Sequence, residues 1–186
     1  MRRLSLIAIF AILTANRAIA QDMPLSQILI EGEGWHQGSG EDLTAILQVK
    51  KIPDVEKPTC HMYSPDGGTL FVGSEIGTYI WAFRVEKDGS LTAGQPYCPL
   101  RVLPGQKNMP VSKLAIDGVG RIYAATSVGI QVFDPTGRLC GVIDNPPSGP
   151  VEDMDCVVKN DQLCVHNKGG TYLRKLKAGS TERPKK

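Results

Sequence analysis

The stretch "SVGIQVFDPTGRLCGVI", residues 127–143, decides the fold. An apolar run leads into Asp134, Pro135, Thr136 and Gly137, and a second apolar run follows. Pro135 presets φ for the second position of a tight turn and Gly137 suits the fourth, so the stretch reads as strand, turn, strand. A single hairpin is compatible with many folds. A repeated hairpin is compatible with few.

The hairpin is one of three copies. "DGGTLFVGSEIGTYIWAFRV" begins at Asp66, "GVGRIYAATSVGIQVFDPTG" at Gly118 and "KNDQLCVHNKGGTYLRKLKA" at Lys159. Leu70 precedes Gly77 by seven residues, Ile122 precedes Gly129 by seven, and Leu163 precedes Gly170 by seven. Another strand-like run stands before each copy: "TCHMYS" from Thr59, "SKLAID" from Ser112 and "EDMDCVV" from Glu152. Only the first two copies are followed by a fourth run, "SLTAGQPY" and "RLCGVI". Three or four antiparallel strands recurring every 52 and then 41 residues match the period of β-propeller blades. The fold expected is all-β, a partial propeller of about three blades. "EDLTAILQVKKI", residues 41–52, reads as a short helix or as strand.

The amino terminus has a different purpose. Arg2 and Arg3 precede a ten-residue apolar run, residues 4–13, and Ala18 and Ala20 supply the small residues that a signal peptidase reads. This pattern predicts a secretory signal peptide over residues 1–20, cleaved before Gln21, and a secreted or periplasmic product. The run is too short to span a bilayer comfortably, so no membrane association is expected after cleavage. Losing Arg2, Arg3 and Arg17 takes the 21 basic residues to 18 against 19 acidic ones, a net charge of −1. That balance argues against nucleic acid as a partner, which needs a concentrated basic face. The expected organisation is a lead-in segment over residues 21–57, blades over 58–178 and a basic solvated tail over 179–186.

Five cysteines stand at positions 60, 98, 140, 156 and 164. An odd number leaves at least one thiol unpaired. Four of the five fall in apolar strand-like runs, where cysteine acts as a small buried hydrophobe, so most are expected to be reduced. Their spacing is not that of a metal site, and Cys60 and His61 are neighbours whose side chains point to opposite faces of a strand.

"PTCHMYSPDGGTLFVGS", residues 58–74, and "VSKLAIDGVGRIYAATSVGIQVFDPTGRL", residues 111–139, resemble successive blade openings of the senescence-marker-protein, gluconolactonase and luciferin-regenerating-enzyme family. "MPLSQILIEGEGW", residues 23–35, resembles the beginning of its exported bacterial members. The resemblance implies a six-bladed propeller that hydrolyses small lactones with a calcium or zinc ion in its central channel. It also implies ligands: a Glu from the first blade, an Asn and an Asp. In this chain the Asn position is Thr59, the Asp position is Ser112, and the first-blade Glu motif is absent. Hydroxyls are weak neutral donors for a dication, which prefers carboxylate and carbonyl oxygen.

The residues after the leader suffice for about half of six blades at roughly 40–50 residues each, and the early blades are the part expected to be missing. Asp153 and Asp155, with Glu152 on the opposite face, are the remaining channel candidates for catalysis or cation binding, or else a solvated strand end. His61 and His166 read as strand-surface or channel-wall residues. Two functions therefore stand open: a gluconolactonase-like lactone hydrolase with a degenerate metal site, and a non-catalytic secreted binding or interaction module. Three blades cannot close a ring, so self-association that completes it is the further expectation.

Overall fold

A computed structural model of the chain describes residues 24–38, 52–147, 149, 157–159 and 161–177. The described strands are, in chain order, β1 (His36–Gly38), β2 (Pro58–Tyr63), β3 (Thr69–Ser74), β4 (Tyr79–Val85), β5 (Leu91–Pro99), β6 (Val111–Ile116), β7 (Ile122–Thr126), β8 (Gly129–Phe133), β9 (Leu139–Ile143), β10 (Val157–Lys159), β11 (Gln162–Asn167) and β12 (Gly170–Lys175). They form three antiparallel sheets of four strands: β2-β3-β4-β5, β6-β7-β8-β9 and β10-β11-β12-β1. The inner strands of successive sheets adjoin, β2 against β6 and β6 against β10. These are the blades of a partial propeller, one for each copy in the sequence.

Burial follows from each blade's neighbours. The second blade lies between the other two. Phe71, Ile80 and Cys98 of the first blade pack with Leu114, Ile122, Ala124 and Phe133 on one of its faces. Leu163 and Val165 of the third pack with Ala115, Tyr123, Ala125, Ile130 and Val132 on the other. With both faces covered, β7 and β8 are buried at every residue, which explains why "IYAAT" runs apolar without alternation.

The third copy lacks a fourth strand in its own sequence. The chain supplies it from far earlier in the sequence: β1 pairs antiparallel with β12, setting His36 opposite Leu173 and Gly38 opposite Thr171. Residues 24–35 lace the same seam. Ile28 is fully buried, Leu29 bridges Leu176, and the Lys177 backbone N–H donates to the Ile28 carbonyl at 2.8 Å. Trp35 donates its indole N–H to the Asp144 carbonyl at 2.8 Å while the Arg174 guanidinium lies 5.9 Å from its ring centre. Residues 24–38 thus belong physically to the last blade and brace it against the second.

The opening hairpin closes as its residues require. Gly137 takes φ +83° and its N–H donates to the Asp134 carbonyl at 2.9 Å. The Asp134 carboxylate accepts from the Thr136 N–H and hydroxyl, at 2.8 and 2.6 Å, and from Arg138 Nε at 3.0 Å. Asp117 and Arg121 repeat the device at the β6–β7 turn, with Nε to carboxylate at 2.6 Å and Tyr123 donating its hydroxyl at 3.1 Å. Tyr97 of the first blade donates to the Pro135 carbonyl at 2.8 Å, so the turn also fastens two blades together.

On the outward face of the first blade, Leu70 and Val72 are 0% exposed. Ile52 and Val55, just ahead of β2, pack against them together with Tyr63, Trp81 and Leu91. The strand-or-helix reading of residues 41–51 lies outside the described residues, as do the signal peptide and the basic tail.

Two predictions follow from this packing. Burial raises the Asp134 carboxyl, but the hydrogen bonds from Thr136 and Arg138 outweigh it and hold the group below the usual carboxylate range. Its stabilisation is therefore present above the unfolded-state pKa of about 3.9 and is lost as pH falls through the lower folded value. Asp134→Ala should cost about 1–2 kcal/mol in a denaturant melt at pH 7, and the difference should vanish in strong acid. Ile52→Asp with Val55→Asp should uncover Leu70 and Val72, lower stability by about 2–4 kcal/mol and raise the apparent mass in light scattering through association of the bared face. An unchanged melt and mass would mean that these residues do not cover the blade.

Candidate functional site

The positions that the sequence points to are set by the innermost strands. Thr59 is the extra residue of a β-bulge in β2, where pairing steps from Pro58–Ser74 to Cys60–Gly73. Ser112 is the extra residue of an equivalent bulge in β6, where pairing steps from Val111–Thr126 to Lys113–Ala125. A bulge bends its strand and re-aims the side chain that it carries, and bulges gather beside functional sites for that reason. Two successive blades thus place the same irregularity at the same point.

The bulges also meet. Thr59 Oγ1 donates to the Val111 carbonyl, joining the first blade to the residue just before Ser112. Ser112 Oγ lies 3.4 Å from the Ala125 carbonyl, to which it donates. Gly73 makes the approach possible: a Cβ there would sit 2.7 Å from both Cys60 Sγ and Val111 Cγ1. Burial pushes the Cys60 thiol up to about 11, against the opposing pull of Thr59, Gly73 and the Lys113 ammonium. The donors on hand are therefore two hydroxyls whose hydrogens are engaged by backbone carbonyls, a thiol that keeps its proton, and a nearby positive charge.

That set does not fit calcium or zinc. A dication is held by carboxylates, carbonyls, imidazoles or thiolates. Among the described residues no three His, Cys, Asp or Glu side chains come together to hold one. The Lys113 ammonium acts on the Cys60 thiol, a feature of the site that the ordinary strand run around Lys113 gave no sign of.

The other candidates are dispersed. His61 pairs with Val72, on the outward face of the first blade rather than at the bulges. His166 sits in β11, bonded through Nδ1 to Thr171 Oγ1 at 2.7 Å, with Nε2 3.5 Å from Cys164 Sγ. Glu152, Asp153 and Asp155 lie outside the described residues. Cys60, Cys98, Cys140 and Cys164 lie on β2, β5, β9 and β11, and burial with the Asp134 charge pushes Cys98 up to about 12.

No family model and no curated protein matches the chain. Solved structures do. The chain is similar to a gluconolactonase of Xanthomonas campestris, with a TM-score of 0.55 and 24% identity over 68% of this chain and 40% of that one. A second structure assigned as a gluconolactonase matches with a TM-score of 0.53 and 19% identity, over 70% of this chain and 42% of that one. A luciferin-regenerating enzyme matches with a TM-score of 0.55 and 12% identity, over 70% of this chain and 48% of that one. The chain thus spans between two-fifths and half of the length of these structures. The resemblance carried by residues 58–74 and 111–139 and the arrangement of the blades point the same way: this chain has the fold of the gluconolactonase and luciferin-regenerating-enzyme propellers, as a partial ring.

Proposed function

We propose that the chain is a gluconolactonase-type propeller whose channel positions have given up metal-dependent hydrolysis, and that it serves as an exported binding or interaction module. The observation that carries this reading is the pair of bulges. They carry Thr59 and Ser112 at the positions where the resemblance would put ligands, and both hydroxyls are turned onto carbonyls, those of Val111 and Ala125. A metal-dependent hydrolase needs an ion to polarise the lactone carbonyl or to lower the pKa of a bound water. The residues described at the bulges supply no anionic ligand for it. The competing reading, a lactone hydrolase, draws its support from the gluconolactonases among the similar structures.

Export is supported by Arg2, Arg3, the apolar run over residues 4–13 and the small residues Ala18 and Ala20.

Titration calorimetry with Ca²⁺ and Zn²⁺, beside a pH-stat assay with glucono-lactone, tests the proposal. The expected result is no stoichiometric ion uptake and no turnover above the uncatalysed rate. Metal uptake with matching activity would overturn it. Thr59→Asn with Ser112→Asp should raise divalent affinity about tenfold or more, because an amide carbonyl and a carboxylate replace two hydroxyls. No change in binding by a folded double variant would mean that the bulges do not mark the ion position.

A further inference from the structure

Corresponding positions in the three blades differ in a way that the propeller does not require. Phe71 and Gly73 in the first blade face the second, and Tyr123 and Ala125 in the second face the third. They are packing residues. The equivalent pair in β11 is Cys164 and His166, a nucleophile and a base two residues apart on one face of a strand. Among the described residues no further blade lies against that face.

The pair is assembled. Cys164 Sγ lies 3.5 Å from His166 Nε2. On the far side of the ring, His166 Nδ1 lies 2.7 Å from Thr171 Oγ1, its directly opposite neighbour on β12. When Thr171 Oγ1 accepts the Nδ1 hydrogen, Nε2 is left as the acceptor that faces the thiol. A nucleophile within reach of a base that is itself oriented by a third group is the arrangement that activates a thiol. Of the other described thiols, Cys60 is near a hydroxyl and a carbonyl and Cys140 is near a carbonyl, neither of which is a base of useful strength. Cys164 is 8% exposed, so the probe has to be small.

We infer that Cys164, His166 and Thr171 form a nucleophilic site that accepts an acyl group from a small activated ester or lactone. The Cys164 proton passes to His166 Nε2 as the sulfur attacks the carbonyl carbon. A thioester bond forms, the ester C–O bond breaks, and the leaving oxygen takes the proton back from His166. Atoms and charge balance with no metal and no oxidant. The site is separate from the Thr59 and Ser112 bulges, and it stands whether or not those positions bind an ion.

p-Nitrophenyl acetate is the probe, applied to the whole chain, with nitrophenolate release followed by absorbance and the acetyl group located by peptide mass spectrometry. One equivalent of rapid release with acetylation mapped to Cys164 is expected. His166→Gln should slow that burst about tenfold or more while slower labelling of Cys140 is unchanged. Thr171→Val should slow it less, since Thr171 positions the base and does not touch the electrophile.

The pH profile of the unaltered chain decides the matter even if a variant folds poorly. The burst rate should reach its plateau at a pH below that at which an isolated thiol ionises, about 8.5. Among the residues whose side chains are described, the other titratable groups on this face are His36, held by Glu33 at 3.0 Å, and Lys175, opposite Gln162. His36→Gln should therefore leave the profile in place. Acetylation of Cys164 no faster than of Cys140, a burst unaffected by His166→Gln, or a profile that follows an ordinary thiol would each overturn the inference.

Discussion

A sheet whose two faces are both apolar must be covered on both, and the second blade imposes that requirement on the whole molecule. β7 and β8 have no solvated side, so a blade has to lie on each face. On one side the cover is β2–β5. On the other it is β10–β12, a sheet of only three strands until β1 joins it. Residues 24–35 and the Trp35 indole then fill the outer part of the gap between the last two blades, where adjacent sheets diverge. Everything beyond the second blade exists, in energetic terms, to keep its two faces dry.

The bulges at Thr59 and Ser112 separate what the backbone fixes from what the side chains supply. A bulge is a backbone feature, fixed by the register of β2 on β3 and of β6 on β7. The side chain that it presents is a separate matter, and replacing an amide or a carboxylate by a hydroxyl leaves the register untouched. Each bulge packs locally. Thr59 reaches the neighbouring blade's Val111 carbonyl, and Gly73 lets the two strands close over Cys60. Thr59 serves there as a tie between blades.

The sequence made the blades legible because a hairpin announces itself within some twenty residues: Gly77, Gly129 and Gly170 at one offset, Asp134 and Gly137 at a turn, and apolar runs between them. The strand positions of Cys60, Cys98, Cys140 and Cys164 could be read in the same way. The fourth strand of the last blade could not. "HQG" carries no apolar alternation, and its partner Leu173 is far away in the chain. Pairing over such a distance leaves no local pattern. The site was legible only in part for a related reason. Motif positions gave Thr59 and Ser112, but that their hydroxyls point at carbonyls depends on how two blades dock. His166 read as a strand-surface or channel-wall residue, and its contact with Thr171 could not be read because the two come into reach only when β11 folds back on β12.

The seam between β1 and β12 also dictates an order of events during synthesis. His36 leaves the ribosome early, yet its pairing partner Leu173 is made only after both other blades are complete. Closing a loop of that size is slow compared with zipping a hairpin across a four-residue turn. The first two blades can therefore form while residues 24–38 wait unpaired, with Ile28 and Trp35 exposed to water. The last blade is then the step at which the two ends of the sequence commit to one another, and the nascent chain is most vulnerable to wrong partners just before it.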